Sequence, residues 1–242
     1  MRIHEAGDPG GPPLVLVHGL GSSPRCWDRN LAFLGAGHSL HLVDLFAAPA
    51  PEARGRVRRP RTRFSLEEAA TELAAQLTEC AQGPATIVGH SMGGLVALHL
   101  AAHAPDLVSR LVLVDVPAVR VPRSRFSQAG AILRSALHAD LAGAAVVASA
   151  FVSAGPFLML AAARATLRAD LGEHVERTGM PTLLVWGAMD SIVPVETGQR
   201  LAAAMPRARL MIMDGIGHQP MWEAPESFHA VVAPFLRVES VL

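Results

Sequence analysis

The chain of 242 residues contains no lysine and no tyrosine, has only two cysteines and carries no net charge. A formal charge of zero gives no global electrostatic case for a nucleic-acid partner. Cys26 and Cys80 stand far apart and form no CxxC pair, so neither a disulfide framework nor a zinc site is expected. Polar low-complexity tracts are missing and 50% of the residues are apolar, which excludes a disordered chain. The first residues, Met1 to Asp8, lack the apolar stretch of a secretory signal, so a cytoplasmic protein is expected. The absence of lysine makes every cation an arginine, for which a GC-rich coding bias is account enough.

What is present is a rhythm. Short apolar runs ended by Gly, Asp or His alternate with longer helical patterns. The runs are Leu14–Val17, Leu40–Asp44, Ala85–Gly89, Leu111–Asp115, Thr182–Trp186 and Arg209–Asp214. Their apolar residues are mostly unbroken, which suits strands covered on both faces. Helical patterns occupy roughly 24–35, 65–82, 91–104, 195–204 and 222–237, with a capping-box start at Ser65 and Glu68 and a stop at Pro105. Strand alternating with helix predicts an α/β fold with a doubly wound, mostly parallel sheet.

From Pro117 to about Arg177 the strand signal disappears. This stretch reads as a helical cap (117–177) inserted into a core of 1–116 and 178–242. Insertions at the carboxyl ends of parallel strands sit over the ligand site. Within it, Leu141–Ala163 is uncharged and long enough on paper to cross a bilayer, but Gly143, Gly155 and Pro156 interrupt it. Helices that wall a pocket, rather than a membrane span, are expected.

Gly89-His90-Ser91-Met92-Gly93-Gly94 matches G-x-S-x-G. The match alone is weak; its place between a strand and a helix start gives it weight, because a nucleophile elbow needs that arrangement. A serine hydroxyl is a poor nucleophile near neutrality and needs a base within hydrogen-bond reach. Of eleven histidines, His218 follows the last apolar run in a Gly- and Pro-flanked loop on the side of Ser91. His90 and His18 read as structural and loop-shaping. The acid that orients the base is Asp190, just past the next-to-last run, with Asp115 as its rival. The backbone N–H groups of Met92 and Leu20 are the expected oxyanion donors.

These motifs resemble the α/β-hydrolase superfamily, in its esterase, C–C hydrolase and carrier-protein esterase branch. The resemblance spans about Gly11 to Leu236 and rests on His18-Gly19-x-Gly21, Gly89-x-Ser91-x-Gly93-Gly94, Trp186-Gly187-x-x-Asp190 with Pro194, and Gly217-His218-x-Pro220-x-x-Glu223-x-Pro225. It implies no metal and no organic cofactor, a helical cap, and a triad of Ser91, Asp190 and His218. Two departures stand out. Leu45-Phe46-Ala47-Ala48-Pro49 and an arginine-rich stretch replace the usual glycine-rich loop, and only Arg2 to Ala6 remain for leading strands.

The expected reaction is hydrolysis of an apolar acyl or aryl ester through an acyl-enzyme. Pocket candidates are Leu20, Trp27, Met92, Met189, Ile192, Met221 and Trp222. Six arginines in ten positions, Arg54 to Arg63, read mostly as a solvated loop; Arg58, Arg59 and Arg61 are a candidate anion dock for a carrier protein or coenzyme A thioester. A C–C hydrolase of a diketone-like metabolite and a low-turnover binding or receptor protein are the alternatives. Dehalogenase chemistry is excluded, because the elbow residue is serine rather than aspartate. A monomer or homodimer is expected.

Overall fold

A computed structural model describes residues 1–47, 62–119 and 141–237. The strands are β1 (Arg2–Gly7), β2 (Pro13–Val17), β3 (Ser39–Asp44), β4 (Ala85–His90), β5 (Val108–Val114), β6 (Thr182–Gly187) and β7 (Ala208–Met213). They form a seven-stranded sheet in the order β1-β3-β2-β4-β5-β6-β7. Among the described residues only the β1–β3 pairing is antiparallel; β2, β3, β4, β5, β6 and β7 run parallel. The chain therefore winds outward from β2 in both directions, and the carboxyl ends of β4, β5 and β6 meet at one edge. The short amino-terminal segment supplies a single leading strand, β1, paired to β3.

The central strands are apolar throughout because helices cover both faces. β2 and β6 are buried along their whole length. On one face, Val15, Ile87, Leu111 and Leu113 pack with α2 (Leu66–Cys80) and α3 (Met92–His103), and Trp186 lies against Gly198. On the other, Leu16, Leu42, Val88, Val112 and Val185 pack with Trp27, Leu34, Met221 and Phe228. Those last residues come from a 3-10 turn (Pro24–Asn30), α1 (Leu31–Gly35), α8 (Pro220–Glu223) and α9 (Pro225–Arg237). The α2 start has the expected cap, with Ser65 Oγ accepting from the Glu68 N–H at 3.3 Å.

The inserted segment forms α4 (Leu141–Ala154), α5 (Pro156–Arg168) and α6 (Gly172–Arg177), after which α7 (Val195–Ala204) follows β6. Gly155, at φ 75°, breaks the uncharged stretch into two helices of 14 and 13 residues. Among the described residues, no helix is long and apolar enough to cross a membrane. The helix α4 meets the 3-10 turn, while α6 packs on α3.

Candidate active site

Ser91 sits where β4 turns into α3, at φ 50° and ψ −117°. A non-glycine residue in the left-handed region is strained, and such strain persists only where the surroundings impose it. The surroundings here are backbone: a side chain at Gly93 would strike the carbonyl oxygens of Val17 and His18. The elbow is thus pressed against the loop that follows β2. Met92 is the first residue of α3, so its N–H has no intrahelical acceptor, and the positive end of the helix lies behind Ser91.

His218 lies in the loop between β7 and α8. Ser91 Oγ–H can donate to its Nε2 across 3.2 Å, and its Nδ1–H donates to Asp190 Oδ2 at 2.7 Å. The carboxylate fixes the tautomer, because it can only accept. Asp190 Oδ1 is held in turn by the N–H groups of Ile192 (2.7 Å) and Val193 (3.0 Å). Burial works against charge on Asp190, but the His218 ring and these N–H donors outweigh it and keep the carboxyl below its ordinary range. Trp186, fully buried, donates from its indole N–H to the Val193 carbonyl at 2.9 Å and anchors the same loop.

Asp115, weighed as the rival acid, ends β5 beside this chain, at φ 49° and fully buried. Its Oδ1 accepts from the Gly187 N–H at 3.0 Å, and Oδ2 has no partner among the described residues. A carboxyl oxygen of Asp115 comes within 4.8 Å of a ring nitrogen of His218, without the short bond that Asp190 makes. Burial, and then the Asp190 charge, push Asp115 well above the ordinary carboxylate range. Two adjacent buried carboxyls do not both ionise, and here Asp190 holds the charge.

Two positioning groups carried weak sequence signals. Glu223 accepts from the N–H groups of Gly217 (2.8 Å) and Gln219 (2.9 Å), bracketing His218; its signal was only a place in the last motif. His18 Nδ1–H donates to the Gly19 carbonyl at 2.8 Å while Nε2 accepts from the Leu45 N–H at 3.1 Å. The altered loop after β3 thus holds the expected oxyanion loop by its backbone. A side chain at Gly19 would come 3.2 Å from Ser91 Cβ, so this loop abuts the nucleophile. His90 Nε2–H donates to the His218 carbonyl at 2.8 Å. Burial and the neighbouring His218 push His90 down to about 3, so it stays neutral and structural.

The expected pocket set divides. Trp27, Met92 and Met221 have side chains wholly shielded from water within the packed layers, so they are core rather than pocket lining. Trp222 lies under the Arg29 guanidinium, 4.1 Å from its ring centroid, and its carbonyl accepts from Arg29 at 2.6 Å, which makes it part of the tie between α8 and the 3-10 turn. Leu20 and Met189, the latter next to Asp190 in the chain, are exposed, and Ile192 is half-buried. Arg58, Arg59 and Arg61 lie outside the described residues.

Comparison with known proteins shows the family. The sequence pattern of the "Alpha/beta hydrolase family" matches residues 14–231. The chain is 30% identical over 244 residues to a pimeloyl-[acyl-carrier protein] methyl ester esterase of Vibrio vulnificus (strain YJ016), covering 90% of this chain and 91% of that one. It is 30% identical over 272 residues to a 2-hydroxy-6-oxononadienedioate/2-hydroxy-6-oxononatrienedioate hydrolase of Burkholderia vietnamiensis, covering 98% and 91%. A hydrolase from Pseudomonas aeruginosa PA01 superposes with a TM-score of 0.80 at 23% identity over 98% of this chain and 94% of that one, a likeness of fold.

Proposed function

Because the chain belongs to the α/β-hydrolase family, we propose that it is a serine hydrolase cleaving a carboxylic ester through an acyl-enzyme. The observation that carries this reading is the unbroken chain Ser91–His218–Asp190, with links of 3.2 and 2.7 Å, on a strained elbow. Ser91 Oγ attacks the ester carbon while its proton passes to His218 Nε2. The Asp190 carboxylate stabilises the resulting imidazolium. The N–H groups of Met92 and Leu20 receive the developing oxyanion, a stabilisation in which each donor contributes about 3–4 kcal/mol. His218 then protonates the departing alkoxide. Water, deprotonated by the same ring, attacks the acyl-Ser91 carbon and releases the acid.

An apolar acyl or aryl group suits the surroundings. Phe151 of α4 stands over the oxyanion loop, with a Cβ at Gly21 falling 3.3 Å from its ring, and Leu20 and Met189 are exposed nearby. The Vibrio relative, named for an ester carried on a protein, supports a carrier-linked substrate. The Burkholderia relative supports a second reading, C–C bond hydrolysis by the same triad. Assays of p-nitrophenyl esters beside diketone substrates separate the two. A fluorophosphonate should label the chain stoichiometrically at Ser91, and Ser91→Ala should abolish both labelling and ester turnover. A wild-type chain that takes no label and turns over neither substrate class would make it a binding protein on a hydrolase fold.

A further inference from the structure

The far end of α3 carries a second cluster with its own chemistry. His99 and His103 are one helical turn apart and therefore share a face; His174 of α6 closes on them from the cap. The ring centroids lie 4.5 Å (His99–His174), 5.3 Å (His103–His174) and 6.0 Å (His99–His103) apart. One ligating nitrogen from each ring falls within 4.8 Å of the other two.

Hydrogen bonding leaves one nitrogen of each ring unused. His99 Nδ1 and His174 Nε2 are buried and have no partner among the described residues. A buried polar atom without a partner costs about 1–3 kcal/mol, so such a pair asks for an explanation. His103 Nδ1–H donates to the His99 carbonyl at 2.9 Å, which leaves Nε2 with its lone pair. The cluster also sits at the carboxyl end of α3, where the helix dipole favours a cation. Glu67 of α2 and Glu173 of α6 contribute negative charge there, against which stands the Arg177 cation on the His174 side.

We propose that His99, His103 and His174 form a binding site for a divalent transition-metal ion, zinc being the fitting probe. Three neutral imidazoles suit such a metal, and two histidines at i and i+4 with a third from another element are an ordinary ligand set. Bonds of about 2.0–2.1 Å place tetrahedral nitrogens about 3.4 Å apart, so closing the cluster takes ring shifts of under about 1 Å. Water completes the shell. His99 is eight residues from Ser91, about 12 Å along the helix, so the ion lies outside the catalytic chain. Its effect is mechanical: it ties α6, where the inserted segment returns to the core, to the helix that carries the nucleophile. The proposal departs from the expectation of a metal-free chain and does not depend on which bond the enzyme cleaves.

The test is calorimetric titration of Zn²⁺ into the chelator-stripped full chain, with thermal melting alongside. One equivalent should bind at micromolar affinity or tighter. The melting temperature should rise by roughly 5–10 °C once free zinc exceeds Kd a hundredfold. His103→Ala and His174→Gln should each weaken binding more than the roughly 10–100-fold that loss of an outer-shell partner costs. His218→Ala should leave this binding intact, which separates it from zinc captured at the triad. His103 is exposed, so its variant tests the site even if His174→Gln does not fold. Co²⁺ bound to the wild-type chain should show the visible bands of tetrahedral coordination. Absence of binding below about 100 μM, binding that survives both cluster variants, or binding lost in His218→Ala would each overturn the proposal.

Discussion

At the scale of single residues, two aspartates compete for one role, and hydrogen bonding separates them. Asp190 bonds His218 at 2.7 Å and is held charged by the ring and two N–H donors, whereas burial and the Asp190 charge favour a neutral Asp115. Asp190→Asn should lower kcat about 10⁴-fold, because an amide cannot select the tautomer that the base needs. Asp115→Asn should change kcat less than about threefold: it keeps an acceptor for the Gly187 N–H, and asparagine tolerates the left-handed backbone at φ 49°. Steady-state ester kinetics on the two variants check this, and reversed magnitudes would transfer the acid role to Asp115. Sequence position favoured Asp190, just past the next-to-last strand, but kept Asp115 as a rival, since each ends or follows a strand at the same edge of the sheet. The choice depends on where the His218 ring points.

At the scale of elements, the loop carrying His218 is held from both ends. Glu223 gathers the Gly217 and Gln219 N–H groups. The short helix α8 is tied down by Asn30, which donates to the Met221 carbonyl at 2.9 Å, and by Arg29 on Trp222. Glu223→Ala should leave the fold intact, because the carboxylate is at the surface, but let the imidazole drift. A displacement near 1 Å costs catalysis up to about 10²-fold, so a fall in kcat of roughly 10–100-fold is expected. Circular dichroism beside kinetics distinguishes this from unfolding. Six of the seven strands and most helices were legible in the sequence, because unbroken apolar runs and a 3.6-residue period are local properties; β1, Arg2–Gly7, has no such run. The 24–35 pattern resolved into a 3-10 turn followed by α1, and the 222–237 pattern into α8 and α9. Pro24, Pro220 and Pro225 each start a new piece, because a proline in the first turn loses no intrahelical hydrogen bond. The membership of Trp27 and Met221 in the core was not legible, because an apolar side chain reads the same on a pocket wall as in a packed layer.

At the scale of the whole molecule, buried titratable groups make stability depend on pH, with opposing signs. His90 is held neutral and pushed to about 3 by burial. Its folded value is depressed, so the unfolded chain binds the proton more readily. The stability it contributes is complete above about pH 6.5 and is lost as pH falls toward 3. Asp190, also depressed, adds stability above about pH 4 that is lost below it. Asp115 is raised, so its contribution is present below about pH 4 and lost as pH rises through its folded value. Between pH 7 and pH 5 His90 and Asp115 pull in opposite directions, so a variant isolates the His90 part: in urea unfolding, His90→Gln should lose less stability than the wild type on going from pH 7 to pH 5. An unchanged pH slope in that variant would remove His90 as the cause.

The amino-acid sequence alone determined the alternation of strand and helix, the elbow at Ser91 and the family, since each is written in neighbouring residues and in the order of short motifs. Tertiary structure decided what depends on distance between remote segments. It joined His218 to Asp190 rather than Asp115, enclosed Trp27, Met92 and Met221 in the packed layers, and gathered His99, His103 and His174 from α3 and the cap. Spacing along a chain records periodicity, whereas side-chain orientation and burial arise only once both faces of the sheet are covered.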